Sequence, residues 1–213
     1  LNSYIPNEKI KLHFSNIYHT CLKYGIDPTK ESIPVTPTAH FLCGGILTDK
    51  WGKTNIENLY AIGETACTGV HGANRLASTS LLECLVWGAR CVKHISQTIE
   101  NSMIINPNFI LPWKYIHKIE KSDPALIQQD LHTIKSIMWN YVGIIRTPDR
   151  LLRAVEDLRY LQHRIEKFYK DILICDKLIS LRNSVGVALL ISEAALRNKK
   201  SRGCHFVKKD YFK

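Results

Sequence analysis

Residues 61–83 read Ala61-Ile62-Gly63-Glu64-Thr65-Ala66-Cys67-Thr68-Gly69-Val70-His71-Gly72-Ala73-Asn74-Arg75-Leu76-Ala77-Ser78-Thr79-Ser80-Leu81-Leu82-Glu83. The apolar run Leu59 to Ile62 predicts a strand ending in Gly63-Glu64, which sets a carboxylate at the C-terminal edge of a sheet, where open α/β sheets bind ligands. Such a carboxylate accepts hydrogen bonds from ribose or other hydroxyls. Gly69 and Gly72 allow close backbone approach or positive φ. Arg75 offers a planar, permanently charged fork suited to a carboxylate. Ser80-Leu81-Leu82-Glu83 has capping-box spacing and predicts a helix from about Ser80. The free N–H groups and positive dipole end of that helix suit an anion or an electron-rich carbonyl. Each feature alone is common in a glycine-rich loop before an ordinary helix. Their order in one run is what points to a ligand site.

Outward from this run, the chain changes grammar twice. Towards the N-terminus, Ile10, Phe14, Ile17, Cys21 and Tyr24 recur every three or four residues, predicting a helix over 9–24 that Gly25 and Pro28 end. Ile33 to Pro37 is expected to be extended, because proline biases its predecessor away from helix. Gly44 to Thr48 is a second short strand, separated from Leu59–Gly63 by the turn Asp49-Lys50-Trp51-Gly52-Lys53. Towards the C-terminus, the helix from Ser80 carries Leu81, Leu85, Val92, Ile95 and Ile99 as its apolar side. Residues 101–122, with Pro107 and Pro112, read as a linker.

Three punctuated helices follow. One opens at Asp123-Pro124, with Ile127, Leu131, Ile134, Met138 and Tyr141 inward. The next opens at Thr147-Pro148, threonine capping and proline in the first turn, with Leu151, Val155, Leu158, Leu161, Ile165 and Phe168 inward. The last runs from about Cys175 to Asn198 and turns in Leu178, Leu181, Val185, Leu189 and Ser192. Short turns between amphipathic helices predict a three-helix bundle.

Composition narrows the function classes. The 213 residues are 45% apolar and 23% charged, an ordinary globular profile. Net charge is +10, yet residues 1–100 carry 9 basic against 8 acidic residues, so the excess lies beyond residue 100. There the basic residues alternate with acids at helical spacing, as in Arg150 to Lys170, which reads as solvated helix faces rather than a nucleic-acid surface. Only Asn198-Lys199-Lys200-Ser201-Arg202 is a compact cluster. Val185 to Ile191, among the longest apolar runs, is too short for a membrane span. Seven cysteines without a Cys-x-x-Cys pair indicate neither a disulfide framework nor a zinc ribbon and fit a reducing compartment. His40-x-x-Cys43 lacks a second pair to close a metal site.

Gly63-Glu64 followed by His71-Gly72-Ala73-Asn74-Arg75-Leu76-Ala77-Ser78-x-Ser80-Leu81-Leu82-Glu83 resembles the C-terminal flavin signature of the succinate dehydrogenase/fumarate reductase flavoprotein superfamily. Pro37-Thr38-Ala39-His40-Phe41 before Cys43-Gly44-Gly45 resembles that family's substrate-histidine strand. Met138-Trp139-Asn140-Tyr141-Val142-Gly143-Ile144-Ile145-Arg146-Thr147 and Ser201-Arg202-Gly203-Cys204-His205-Phe206 resemble the helical domain of its L-aspartate oxidase branch. Ala77-Ser78 and Glu83 point the same way, since the dehydrogenases and fumarate reductases typically carry two glycines and an aspartate there.

The resemblance implies an α+β, helix-rich fold: the C-terminal part of an FAD-binding α/β domain followed by the three-helix bundle. Residues 1–32 would be the tail of a capping domain, 33–100 the FAD-binding part, 101–122 the linker and 123–213 the bundle. Glu64 would hold ribityl or ribose hydroxyls of FAD, and Ser80 and Leu81 would offer backbone N–H groups to the flavin pyrimidine edge. His40 and Arg75 would bind the carboxylates of L-aspartate or another C4 dicarboxylate, with Ser78 close by. His71 is either at the flavin edge or a loop support, and Arg202 and His205 are structural. Oxygen or fumarate would accept the electrons, and quinolinate synthase would take the iminoaspartate into NAD biosynthesis. No Gly-x-Gly-x-x-Gly occurs, so the N-terminal dinucleotide-binding half is expected on a missing segment, without which the chain neither holds FAD nor turns over. Cysteine usage suits the cytoplasm; a plastid or other organelle fits if a transit peptide is missing. The rival readings are a fumarate reductase or succinate dehydrogenase flavoprotein, and a non-catalytic helical module binding an acidic partner through the basic tail.

Overall fold

A computed structural model describes residues 4–101, 106–112 and 123–208. The chain divides into two compact units, residues 1–40 and 41–213.

In the first unit the helix expected over 9–24 is two helices, α1 (Asn7–His13) and α2 (Ser15–Lys23). Phe14 breaks the run with φ −121° and ψ 36°, although its N–H still reaches the Ile10 carbonyl at 3.0 Å. Apolar spacing persists across such a break, so the pattern alone cannot reveal it. Gly25, at φ +76°, stops α2 as expected, its N–H on the Leu22 carbonyl. Ile33 to Pro37 carries no helix or strand.

The second unit opens on a two-residue parallel pair, β1 (Ile46–Leu47) with β2 (Ala66–Cys67), in register Ile46 to Ala66 and Leu47 to Cys67. Gly45 makes this pairing possible, because a Cβ there would sit 2.3 Å from the Thr65 carbonyl oxygen. The 49–53 turn forms as expected, with the Asp49 carboxylate accepting from Trp51 N–H at 2.8 Å and Lys53 N–H at 3.0 Å. The strand expected at Leu59–Gly63 does not form; Tyr60 makes one antiparallel bridge to Lys53. Gly63–Thr65 is a 3₁₀ turn, so Glu64 precedes a strand instead of ending one.

α3 (Ser80–Thr98) begins where expected, but not by the expected means. Thr79 occupies the cap position without a side-chain cap, and Glu83 does not fold back as a capping box requires. The buried positions are Glu83 and Cys91, while of the expected apolar side Leu81, Leu85, Val92 and Ile99 are exposed and Ile95 is half-buried. Trp87 Nε1 donates to the Asp49 carbonyl at 3.1 Å and locks the inward face onto the 49–53 turn.

α4 (Pro124–Tyr141), α5 (Pro148–Asp171) and α6 (Asp176–Arg197) open where the sequence indicates. The Asp123 carboxylate accepts from Ala125 N–H at 2.8 Å and the Thr147 hydroxyl from Arg150 N–H at 3.4 Å, each before a proline in the first turn. The three helices pack pairwise around one cluster that includes Ile127, Ile134, Leu151, Leu158, Ile165, Leu178, Leu181 and Val185. Among the described residues α6 is the one helix long and apolar enough to cross a membrane by length and composition, and its Leu178–Leu181–Val185 face lies inside this core. The expected linker over 101–122 falls largely outside the described residues; Pro107–Phe109 forms a 3₁₀ turn.

After α6 the chain returns. Val207 bridges Arg146 in parallel, with Arg146 N–H on the Phe206 carbonyl and Lys208 N–H on the Arg146 carbonyl, both at 3.0 Å. Arg202 and His205 close a tight turn between them.

Candidate functional site

The start of α3 is organised around a buried carboxylate. Glu83 is only 4% exposed; the Thr68 hydroxyl donates to its Oε1, and His71 Nε2 meets its Oε2 at 2.6 Å. That contact puts a proton on Nε2, while Nδ1 of His71 is buried with no hydrogen-bond partner among the described residues. The ring of Phe41 stands edge-on to His71, centroids 4.8 Å apart, and the Arg75 guanidinium lies 5.1 Å over the same ring. Arg75 Nη1 donates to Ser80 Oγ at 2.8 Å. Among the described residues Arg75 is held by a cation–π contact and one hydroxyl, neither of which neutralises it, so its charge suits an anion. The cleft bounded by Leu42, Cys67, Gly69 and His71 holds about 20 Å³, room for one water-sized group. A groove of about 400 Å³ between α4 and α5 lies apart from these residues.

The structure joins some of the expected residues and not others. Arg75 and Ser80 are bonded, with Ser80 and Leu81 opening α3. Because no side chain caps this helix, its first N–H groups are presented as a ligand at that end would need. Ser78 is exposed at φ +67°, a left-handed conformation uncommon outside glycine, which marks a tightly constrained turn between Arg75 and α3. Gly69 and Gly72, at φ +85° and +53°, take the positive φ anticipated, and no atom lies within 4 Å of a Cβ at either. Glu64 is exposed, and its Oε1 accepts from Leu42 N–H at 2.9 Å. His40 ends the first unit, whereas Glu64, Arg75, Ser78, Ser80 and Leu81 all belong to the second.

Several residues outside the expected set support the same loop. Glu83 holds His71 through Nε2 and is itself held by Thr68; Phe41 carries Arg75; Arg146 and His205 hold the returning chain. Arg146 is half-buried, which pushes its pKa down, and its Nε donates to the Val142 and Gly143 carbonyls at 3.2 Å. Its Nη1 donates to His205 Nδ1 at 2.8 Å, and His205 Nε2 donates to the Asn198 carbonyl at 2.6 Å. His205 is thereby fixed as the neutral Nε2–H form, in the structural role expected of it. The turn it closes places Cys204 N–H on the Ala73 carbonyl at 2.9 Å, two residues before Arg75. The sequence signal for this docking was Gly203, at φ +55°, where a Cβ would lie 2.1 Å from the Ala73 oxygen.

A family model described as an FAD binding domain matches residues 1–81, and one described as the fumarate reductase flavoprotein C-terminus matches residues 131–213. The chain belongs to the succinate dehydrogenase/fumarate reductase flavoprotein superfamily. Within this flavoprotein superfamily it is 42% identical over 205 residues to an L-aspartate oxidase of Yersinia pestis, covering 96% of this chain and 38% of that protein. It is 44% identical over 199 residues to one of Acinetobacter baylyi, covering 93% and 36%. A chloroplastic L-aspartate oxidase of rice is 38% identical over 217 residues, covering 96% and 33%. Among solved flavoproteins, a quinol-fumarate reductase with menaquinol superposes with a TM-score of 0.78 at 28% identity, covering 97% of this chain and 38% of that one. The E. coli quinol fumarate reductase gives 0.76, also at 28% identity, with coverage of 97% and 38%. The chain thus spans about 38% of the length of the first curated relatives it matches.

Proposed function

We propose that the chain supplies the C-terminal part of an L-aspartate oxidase, a flavoprotein that oxidises L-aspartate to iminoaspartate. The observation that carries this reading is Arg75, a guanidinium fixed by Phe41 and Ser80 with no carboxylate partner among the described residues, beside the start of α3. It stands in a chain 42% identical to an L-aspartate oxidase and 28% identical to the fumarate reductases, which favours aspartate over succinate as substrate. Ala77, Ser78 and Glu83 support the same choice.

The residues present fit FAD. The α3 N-terminus, the open faces of Gly69 and Gly72, and a carboxylate at Glu64 form a polar, backbone-rich rim. Ser80 and Leu81 would direct backbone N–H groups at the flavin's pyrimidine edge, and Glu64 would take ribityl or ribose hydroxyls. Bound there, FAD supplies a two-electron acceptor. Arg75 and His40 would each take one substrate carboxylate, with Ser78 as a further contact, and two such charge-assisted anchors would fix the orientation of the substrate. L-Aspartate leaves with its Cα–N bond oxidised to an imine, and oxygen or fumarate takes up the electrons. Quinolinate synthase is the partner that would consume the product on the way to NAD. Residues 1–32 are then the capping-domain tail, 33–100 the FAD-binding part and 123–213 a three-helix bundle, a division the common core of α4, α5 and α6 supports. The chloroplastic relative of rice favours an organelle where the source is a plant, and the bacterial relatives favour the cytoplasm where it is not.

The test is complementation. The 213-residue chain is purified alone and together with the N-terminal half of the Yersinia pestis relative, then assayed for bound flavin and for turnover of aspartate and succinate. Flavin and aspartate turnover are expected only in the pair. Turnover of succinate without aspartate would replace this reading by the dehydrogenase one.

A further inference from the structure

Phe41 touches two groups that lie far from it in sequence. His71 meets its ring edge-on, centroids 4.8 Å apart, and the Arg75 guanidinium lies 5.1 Å over the same ring. The ring is seated on two sides. Its backbone neighbour is fixed, because Leu42 N–H donates to Glu64 Oε1 at 2.9 Å. Its aromatic partner is fixed too, because His71 Nε2 donates at 2.6 Å to Glu83, a buried carboxylate that the Thr68 hydroxyl also bonds.

An arginine side chain has many rotamers to lose when it takes an anion. Here much of that freedom is lost on folding: Nη1 donates to Ser80 Oγ at 2.8 Å, and the Phe41 ring lies beneath the guanidinium. The other guanidinium N–H groups have no hydrogen-bond partner among the described residues. We propose that Phe41 is a positioning residue, whose ring holds the Arg75 fork in place for a substrate carboxylate. The assignment rests on the reading of Arg75 as a carboxylate anchor. One bond to a hydroxyl leaves a guanidinium free to swing about it; a ring face beneath removes that freedom without bringing a negative charge to compete with the ligand. A carboxylate in the place of Phe41 would hold Arg75 more tightly and neutralise it. The buried carboxylate of this loop, Glu83, is engaged by Thr68 and His71 instead. A guanidinium stationed before the substrate arrives favours ground state and transition state alike, so loss of the ring raises KM and spares kcat.

The test uses the complex of this chain with the N-terminal half of the Yersinia pestis relative. Phe41→Leu is expected to raise KM for aspartate about five- to tenfold, the size of a partly desolvated cation–π contact, with kcat and bound flavin retained. Phe41→Tyr restores the ring face and with it the original KM. Added to Arg75→Leu, Phe41→Leu raises KM no further. An unaltered KM in Phe41→Leu, a loss in kcat alone, or a further rise in the Arg75→Leu background overturns the assignment, since a ring that merely packs the loop acts without Arg75. A flavin-free measurement separates this role from the function it rests on. In the isotope-labelled 213-residue chain, the Arg75 Nε–H resonance is assigned by its absence from Arg75→Lys. The ring current of Phe41 is expected to hold it upfield, Phe41→Leu to release it, and malonate to shift it with an affinity that Phe41→Leu weakens by the same factor. An equal malonate response in the two chains, including none in either, overturns the positioning role whatever the complex turns over. A weaker affinity beside turnover of succinate alone upholds it and replaces aspartate as the substrate.

Discussion

At the scale of single residues, Arg75 and Glu83 show how like-looking charges are used differently. Glu83 faces inward and is consumed by Thr68 and His71, while among the described residues Arg75 is held by a ring face and a hydroxyl and has no carboxylate partner. A buried carboxylate with two donors is scaffold; a cation without a counter-charge is a binding group. Arg75→Leu in the complemented enzyme removes a charge-assisted contact of about 1.5–3 kcal/mol, so kcat/KM for aspartate falls by roughly one to two orders of magnitude. Flavin absorbance is retained and KM rises. Arg75→Lys keeps the charge without the fork and recovers part of the loss. Unchanged steady-state kinetics in Arg75→Leu would remove this residue from the substrate site.

Among elements, the contact that decides geometry is the C-terminal turn on the 73–75 loop. Gly203→Ala drives a Cβ into the Ala73 carbonyl at a φ of +55°, and a strained residue of this kind costs about 1–3 kcal/mol. Gly186→Ala, in the middle of α6 with nothing within 4 Å of its Cβ, is the matched control and stabilises by roughly 0.5–1 kcal/mol. Urea unfolding midpoints should move in opposite directions; a Gly203→Ala midpoint equal to that of the unaltered chain would show that the turn is not seated on Ala73. Sequence reading reached α4, α5 and α6 because one apolar stripe per helix and a capping Asp or Thr before proline are local signals. It missed the break at Phe14, because apolar spacing runs unchanged through it. It misjudged Glu83 because S-x-x-E spacing says nothing of a competing His71 twelve residues earlier in the chain. Arg75 and the glycines of its loop were legible as chemistry; the bond from Cys204 N–H to the Ala73 carbonyl was not, since only the fold brings positions so distant in sequence together.

For the molecule as a whole, the same helix poses the sharpest physical question. α3 turns a carboxylate and a cysteine inward and leaves Leu81 at 78% and Leu85 at 70% exposure, with Leu82 and Val92 beside them. A stripe this apolar is costly to leave in water, and large exposed patches mark surfaces that another body covers. The spacing identifies the apolar side, but it does not say what covers it. The chain spans about 38% of its relatives' length, and the FAD binding domain model ends at residue 81, on this stripe. On the function proposed above, the remainder of that domain is what would cover it. Analytical ultracentrifugation should therefore find the 213-residue chain self-associating as its concentration rises. Leu85→Glu, which places a charge in the middle of the stripe, should return it to monomer, and so should the N-terminal half of a relative, by forming a one-to-one complex that Leu85→Glu weakens. A chain that stays monomeric at every concentration, and binds the N-terminal half equally well with and without Leu85→Glu, would show that this face is solvated in the working enzyme.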